Sequence, residues 1–382
     1  MADVFYARGM FTSDALVESA PLLLVGAGHS HLLTLRRWLD QGWRPPAGTL
    51  LVNPGEHAWY SGMMPGLLAG RHQVEDCRIA LQPLCEALDV RHLDAGVVQL
   101  DAVAGQVLLS TGQSIKAGCI SLDCGAQPPA PQWLDTTVEK LPVKPFGILL
   151  QRWQQWRETG WPARIGVLGG GAAAFEVCMA LRAAGFAGEL SLLTGSTLLA
   201  DFPERLRERA SALLRQRQVG LHELCMITTV RQYGVYDQQR RVLACDALVL
   251  ASGARAHGWQ ASSGLACDAQ GFVRIGNDLR SRSHPQIFAS GDCASLPGAR
   301  RSGVYAVRQA PVLADNLRAT LNGGRLSDYR PQRLALALLD CGNGQALLRY
   351  GSLGMAGGWC LRWKDRLDRR FIEGMRCPLP ID

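Results

Sequence analysis

Two stretches of this chain, far apart, share one plan, and that plan leaves few folds open. LLLVGAGHSH runs from Leu22 to His31, and IGVLGGGAAAFE from Ile165 to Glu176. Each reads as an apolar strand, a glycine turn and the first turns of a helix. A turn of this kind gathers free backbone N–H groups and the positive end of a helix dipole at one spot, which suits a diphosphate. Gly26 and Gly169 make the turns, and Gly28 and Gly171 let the backbone approach the phosphates. A single G-x-G-x-x-G is a weak signal. Two of them, each after an apolar strand and both followed by the strand end IFASGDCAS (Ile287 to Ser295), are a strong one. The expected fold class is α/β: two Rossmann-type dinucleotide-binding domains, the second inserted in the first, plus a small C-terminal α+β domain.

The departures from the fingerprint carry information. His31 stands where the third glycine packs helix against strand, and Ala174 takes that place in the second unit. The acid expected at the end of each second strand is missing: TLLLVN ends at Asn53 and ELSLLT at Thr194. Asn53 can hydrogen-bond a ribose. Thr194 is a weaker partner and leaves the second nucleotide's identity open.

With 382 residues, the chain is long enough for two or three domains and an ample core. Hydrophobic residues make up 47% and charged residues 19%, as in an ordinary globular protein. The formal net charge is +7, but only four of the 40 basic residues are Lys, so abundant Arg is not a nucleic-acid signal here. No nucleic-acid-binding motif accompanies it. The first twenty residues lack a basic-then-apolar leader pattern, and no run approaches 18 apolar residues. A cytoplasmic protein is expected, with peripheral contact to the inner membrane as a variant of that reading.

The chain divides into an N-terminal extension (1–20), the first part of the first nucleotide domain (21–145), the inserted domain (146–257), the returning part of the first domain (258–325) and a C-terminal interface unit (326–382). Prolines 128, 129, 131, 142 and 145 mark the expected linker between the first two. The Arg78–Leu88 stretch reads as helical.

Twelve cysteines invite a redox reading. Cys119 and Cys124 have C-x-x-x-x-C spacing, but GCISLDCGA reads as a strand, on which residues five apart face opposite sides. They are expected to be buried small hydrophobes. There is no C-x-x-C, and no zinc-ligand spacing among Cys and His, so no metal is expected.

The motifs VGAGHSH, YSGMMPGLLAG, PVKP, SHPQIFASGDCASLPG, GVYAVRQ and RWKDRLDRRF, in this order, resemble the pyridine nucleotide–disulfide oxidoreductase superfamily. Within it the chain is similar to the branch of type II NADH dehydrogenases and sulfide:quinone reductases. It is most similar to the NADH-dehydrogenase-like module found fused to selenophosphate synthetase. The resemblance implies tightly held FAD and NAD(P)H as electron donor. It implies that Gly26, Gly28, His29 and Ser30 cradle the FAD diphosphate, with His31 packing beneath, and that Asn53 meets the adenosine ribose. Val97 is in the place that touches adenine through its backbone. Gly291 and Asp292 correspond to the turn whose aspartate binds the ribityl chain. Pro65 and Tyr305, each with a turn or packing role as the alternative, flank the isoalloxazine ring. Cys124-Gly125 and Gly253 are the strand ends bordering the cofactors, with Gly169 and Gly171 on the nucleotide. Glu176 corresponds to a glutamate on the nicotinamide side of the flavin, and Lys144 of PVKP is its expected partner; these two are the candidate catalytic residues.

Hydride and electron transfer belong to the flavin, so no protein nucleophile is required. The expected acceptor is a quinone or another small oxidant, although the glutamine-rich quinone motif is reduced to Tyr305-Ala-Val-Arg308-Gln309. The alternatives are a flavoprotein with a vestigial nucleotide site acting on a sulfur or selenium compound, and a non-catalytic FAD-binding redox sensor. The C-terminal stretch 359–376 reads as a basic helix with Trp359, Trp363, Leu367 and Phe371 on one side. That stripe is suited to a membrane surface, a homodimer face or the protein body, and burial in the body is the expected outcome.

Overall fold

A computed structural model describes residues 17–376. The first glycine turn follows the strand Val17–Val25, which pairs in parallel with Leu50–Val52 on one side and Ser114–Leu122 on the other. Arg91–Leu93 extends the sheet beyond Leu50–Val52. Gln106–Leu109 and Val97–Asp101 add antiparallel strands beyond Ser114–Leu122. Ile287–Ala289 returns after the inserted domain and pairs in parallel with the same Ser114–Leu122. Leu22, Leu23, Leu24, Leu50 and Leu51 on these strands are buried in the main hydrophobic core. Helix α1 (His29–Asp40) follows the turn, and α2 (Met64–Leu68) lies in the connection between the antiparallel strands His57–Trp59 and Arg78–Ala80. Helix α3 spans only Leu81–Ala87, so the start of the expected 78–88 helix is a strand. The expected extension is also shorter, since Val17–Ala20 already pair with Ser114–Ala117; residues 1–16 lie outside the described part.

The second sheet is wholly parallel, in the order Glu139–Pro142, Ala247–Leu250, Arg164–Leu168, Glu189–Leu193, Val219–His222. Helices α4 (Phe146–Thr159), α5 (Ala172–Ala183) and α6 (Glu204–Gln216) connect these strands. Pairing within this sheet begins at residue 139, inside the stretch expected to be a linker. Pro142 is tolerated because it ends an edge strand, where a missing N–H costs little. Residues Gln132–Thr136 join 229–232, 234–237 and 240–244 in a further four-stranded sheet. Its strands are short and lack clear alternation, so periodicity does not announce them.

Helix α7 (Gly258–Ala261) and helix α8 (Gly303–Leu321) belong to the returning part. Three side chains of α1 hydrogen-bond to carbonyls of α8: Ser30 to Ala306 at 3.0 Å, Thr34 to Ala310 at 3.4 Å and Trp38 to Ala314 at 3.1 Å. The constant offset means that the two helices run parallel, with their N-termini together. The C-terminal unit is an antiparallel meander of Leu336–Asp340, Ala346–Tyr350 and Leu353–Gly357, followed by helix α9 (Gly358–Met375).

Candidate functional site

The site begins at the first glycine turn. Gly26 has φ +88°, and a Cβ there would fall 2.5 Å from Asp123 O, so only glycine fits. Asn53 Oδ1 accepts from Ala27 N at 3.0 Å, and its amide donates to Pro54 O and Gly55 O. Its side chain is therefore engaged in holding the turn. His31 is buried between Gly26 O (Nδ1, 2.6 Å) and the Ser121 hydroxyl (Nε2, 2.7 Å). A carbonyl only accepts, so Nδ1 carries the proton and Nε2 accepts from Ser121. Burial pushes His31 down to about 4, so the ring stays neutral. It clamps helix to strand in the place where the third glycine would pack.

The parallel run of α1 and α8 brings two helix starts, and two positive dipole ends, to the mouth of this crevice. His29 lies between them: a Cβ on Gly303 would be 3.7 Å from its ring. The His29 ring contacts Tyr60 and Phe371 at centroid distances of 5.4 and 5.3 Å, and those two stack at 4.5 Å. Burial lowers His29 to about 4 despite the Asp292 carboxylate. On the opposite wall Gly291, at φ +64°, donates its N–H to Gln309 Oε1 at 2.7 Å. Asp292 pairs with Lys144 at 2.8 Å. The Ser290 hydroxyl is buried without a partner among the described residues. A cradle that admits no Cβ, two convergent helix starts, an acid in the turn and an orphaned hydroxyl have the chemistry that FAD, with its diphosphate and hydroxylated chain, would need.

Of the remaining expected cofactor residues, Val97 opens its strand and packs on the core, and Pro65 lies buried in the first turn of α2. Tyr305 is buried, with its hydroxyl donating to Gln332 O at 3.1 Å. Cys124 is half-buried at its strand end, where its carbonyl meets His257 Nε2 at 3.1 Å, and Gly125 follows at φ +69°. Cys119 is buried in the strand, and burial raises its thiol to about 12.

The second turn is built alike but left open. Gly169 has φ +147°, and a Cβ there would lie 2.5 Å from Ala251 O. A Cβ on Gly170 would meet Thr194 Oγ1 at 2.3 Å, and that hydroxyl already accepts from Ser196 N. Gly171, by contrast, has nothing within 4 Å of the place its Cβ would take. Gly253, beyond the end of the neighbouring strand Ala247–Leu250, has φ +38°.

Glu176, on α5, hydrogen-bonds through Oε1 to Asp340 N at 2.8 Å. Burial raises its carboxyl to about 7, against the opposing pull of the Lys364 ammonium. The expected pairing with Lys144 does not occur, because Lys144 belongs to Asp292; the lysine acting on Glu176 is Lys364 of α9. Lys364 is buried and donates to Asp368 Oδ2 at 2.6 Å and to Gly62 O. Burial works to lower it, but the carboxylates of Asp368, Glu176 and Asp340 hold it above the ordinary lysine value. Tyr60 donates to Asp368 Oδ1 at 3.0 Å, and its phenol is raised by burial and by that carboxylate. Arg71 bridges Asp340 and Asp365. Sequence reasoning does not find this cluster. The available signal was a rare lysine followed four residues later by an acid, Lys364 and Asp368, a spacing that places both on one helix face.

That pair also decides how α9 sits. Cys360, Leu361, Lys364, Asp368, Ile372 and Met375 are buried, whereas Trp359, Trp363 and Leu367 remain 42%, 41% and 39% exposed. The expected burial of the tryptophan stripe is corrected: the side holding the ion pair docks, and the tryptophans face outward. Phe371 alone of the stripe turns in, onto Tyr60.

A family model described as pyridine nucleotide-disulphide oxidoreductase matches residues 23–312. The chain is 25% identical to the NADH dehydrogenase-like protein YutJ of Bacillus subtilis (strain 168) over 353 residues, covering 89% of this chain and 92% of that protein. Its fold is similar to that of the sulfide:quinone oxidoreductase of Aquifex aeolicus, with TM-score 0.74 and 16% identity, over 94% of this chain and 92% of the other. It is also similar to the water-forming NADH oxidase from Lactobacillus brevis bound to NADH, with TM-score 0.71 and 16% identity, over 87% of this chain and 75% of the other.

Proposed function

Because the chain belongs to the pyridine nucleotide–disulphide oxidoreductase family and is an FAD-dependent NAD(P)H oxidoreductase, we propose that NAD(P)H binds at the second glycine turn and that the acceptor is a quinone or another small oxidant. The observation that carries the reading is the start of α5. No side chain crowds Gly171, so a diphosphate has free approach, which favours a working nucleotide site over a vestigial one.

FAD, when bound, supplies the two-electron chemistry. The protein supplies position and protons. Quinone reduction takes two electrons and two protons, of which NAD(P)H brings one proton with its hydride. The other comes from solvent through protein groups. Glu176, titrating near neutrality, and the chain from Tyr60 through Asp368 to Lys364 offer such groups where α2, α5 and α9 meet. The exposed Trp359, Trp363 and Leu367 beside them suit a lipid-soluble acceptor and a peripheral seat on a membrane surface. Thr194 in place of an acid implies weak discrimination between NADH and NADPH.

The test is anaerobic titration of the purified yellow protein with NADH and NADPH, followed by a short-chain quinone. The expected result is loss of the flavin's visible absorbance with either nucleotide and its recovery on adding quinone. Unchanged absorbance with both would favour the sulfur or selenium donor instead. Reduction without recovery would favour the sensor.

A further inference from the structure

The two glycine-turn units can be aligned atom by atom through their backbone bonds. Asp123 N donates to Val25 O at 2.8 Å in the first, and Ala251 N donates to Leu168 O at 2.8 Å in the second. A Cβ on Gly26 would fall 2.5 Å from Asp123 O, and one on Gly169 would fall 2.5 Å from Ala251 O. Asp123 and Ala251 thus occupy the same position, just past the strand that flanks each nucleotide strand. One carries a carboxylic acid and the other a methyl group.

The consequence is local and large. The methyl leaves the start of α5 open. The Asp123 side chain instead folds beneath the start of α1, buried, with Oδ2 accepting from His31 N at 2.9 Å and a further bond from the Ser30 amide. A Cβ on Gly28 would lie 2.5 Å from this carboxyl, and one on Gly291 would lie 2.5 Å from its Oδ1. The acid therefore sits between the two glycines that open the crevice, and a diphosphate drawn to the paired helix starts meets it as a neighbour.

Among the described residues no cation offsets it. From α1, the rings of His29 and His31 face this region, and burial keeps both neutral, at about 4. From the turn after Ile287–Ala289 come the Asp292 carboxylate, a like charge, and the Cys293 thiol, which is held well above its ordinary value and so stays neutral. Lys144 is already paired with Asp292. Burial raises Asp123 itself to about 7, although two amides bond to it. An ionised carboxyl beside a diphosphate, in a site of low dielectric, would repel it strongly. A neutral acid instead has an O–H to donate.

We propose that Asp123 accompanies the FAD diphosphate as the neutral acid, so that filling the first nucleotide site takes up one proton. The proposal rests on the first unit holding FAD. Flavin is then held more weakly as pH rises, and the second site, with Ala251, has no such dependence.

Flavin release from the purified protein, diluted into buffers from pH 6 to 9 and followed by the fluorescence of free FAD, gives the dissociation constant. It should rise by up to about tenfold per pH unit above roughly 7. Asp123→Asn should hold FAD with little pH dependence and more tightly than wild type at pH 9. Calorimetry of FAD binding to flavin-stripped wild type, in two buffers of different ionisation enthalpy, needs no variant. At pH 8 it should count about one proton taken up. A flat dissociation constant, a proton count near zero or an unaltered pH slope in Asp123→Asn overturns this proposal alone. Absence of flavin at every pH overturns it together with the flavoprotein reading.

Discussion

At Glu176, burial outweighs the ammonium of Lys364, and the carboxyl is raised from 4.5 to about 7. Between those values the native protein keeps a proton that the unfolded chain has released, so stability falls as pH rises through that window. Above about 7 the cost is fully in place, at up to about 3 kcal/mol. Glu176→Gln keeps an oxygen for Asp340 N and has no charge to desolvate. Its melting temperature should exceed that of wild type at pH 8, by a margin that vanishes near pH 4.5. An equal difference at both pH values would show that the acid is not shifted. Lys144 illustrates the opposite limit of local reading. Its motif marks it as a partner for an acid, and it is one, but the acid is Asp292, brought from far along the chain.

The two helix starts proposed to receive dinucleotides are treated differently by their glycine turns. At α1 the turn is gripped by Asn53, His31 and Asp123. At α5 it is bare. Gly171 has φ −91° and ψ −173°, an extended conformation that valine adopts readily, and its Cβ direction is empty. Gly171→Val should therefore leave stability within about 0.5 kcal/mol and the flavin spectrum intact. It should slow flavin reduction by NAD(P)H at least about tenfold, because the added side chain takes the space a diphosphate needs. Stopped-flow reduction of wild type and variant measures this, and equal rates would mean that the donor enters elsewhere. Helix α8 has a different task. Gln309, read in sequence as a remnant of a quinone motif, fixes the Gly291 N–H and so the turn that carries Asp292.

Across the whole molecule, the C-terminal unit joins the two nucleotide domains. Asp340 holds Glu176 of the second, while Lys364, Asp365 and Asp368 hold Gly62, Arg71 and Tyr60 of the first. This inward face of α9 fixes the outward one. No helix among the described residues is long and apolar enough to cross a membrane, so contact through Trp359, Trp363 and Leu367 would be peripheral. Wild type should co-sediment with anionic vesicles at low salt and dissociate as salt rises, since arginines near the surface contribute about 1 kcal/mol each. Replacing Trp359 and Trp363 with Ala should abolish this binding while scarcely moving the melting temperature, because both rings already face outward. A large drop in melting temperature without vesicle binding would instead place the stripe in a protein contact.

The sequence by itself determined the two strand–turn–helix units, their order, the Gly291-Asp292 strand end and the family. Each of these is written in neighbouring residues, through apolar runs and turns that only glycine can make. What only tertiary structure decided lies between residues distant in the chain. It placed Asp123 under α1, gave Glu176 to Lys364 and Lys144 to Asp292, and drew Gln132–Thr136 and Glu139–Pro142 into sheets where prolines suggested a linker. It also turned the tryptophans of α9 outward. An amphipathic pattern says that a helix has two faces. Which face docks was set here by a buried Lys364–Asp368 pair, whose desolvation is offset only where Tyr60 and the Gly62 carbonyl are waiting to receive it.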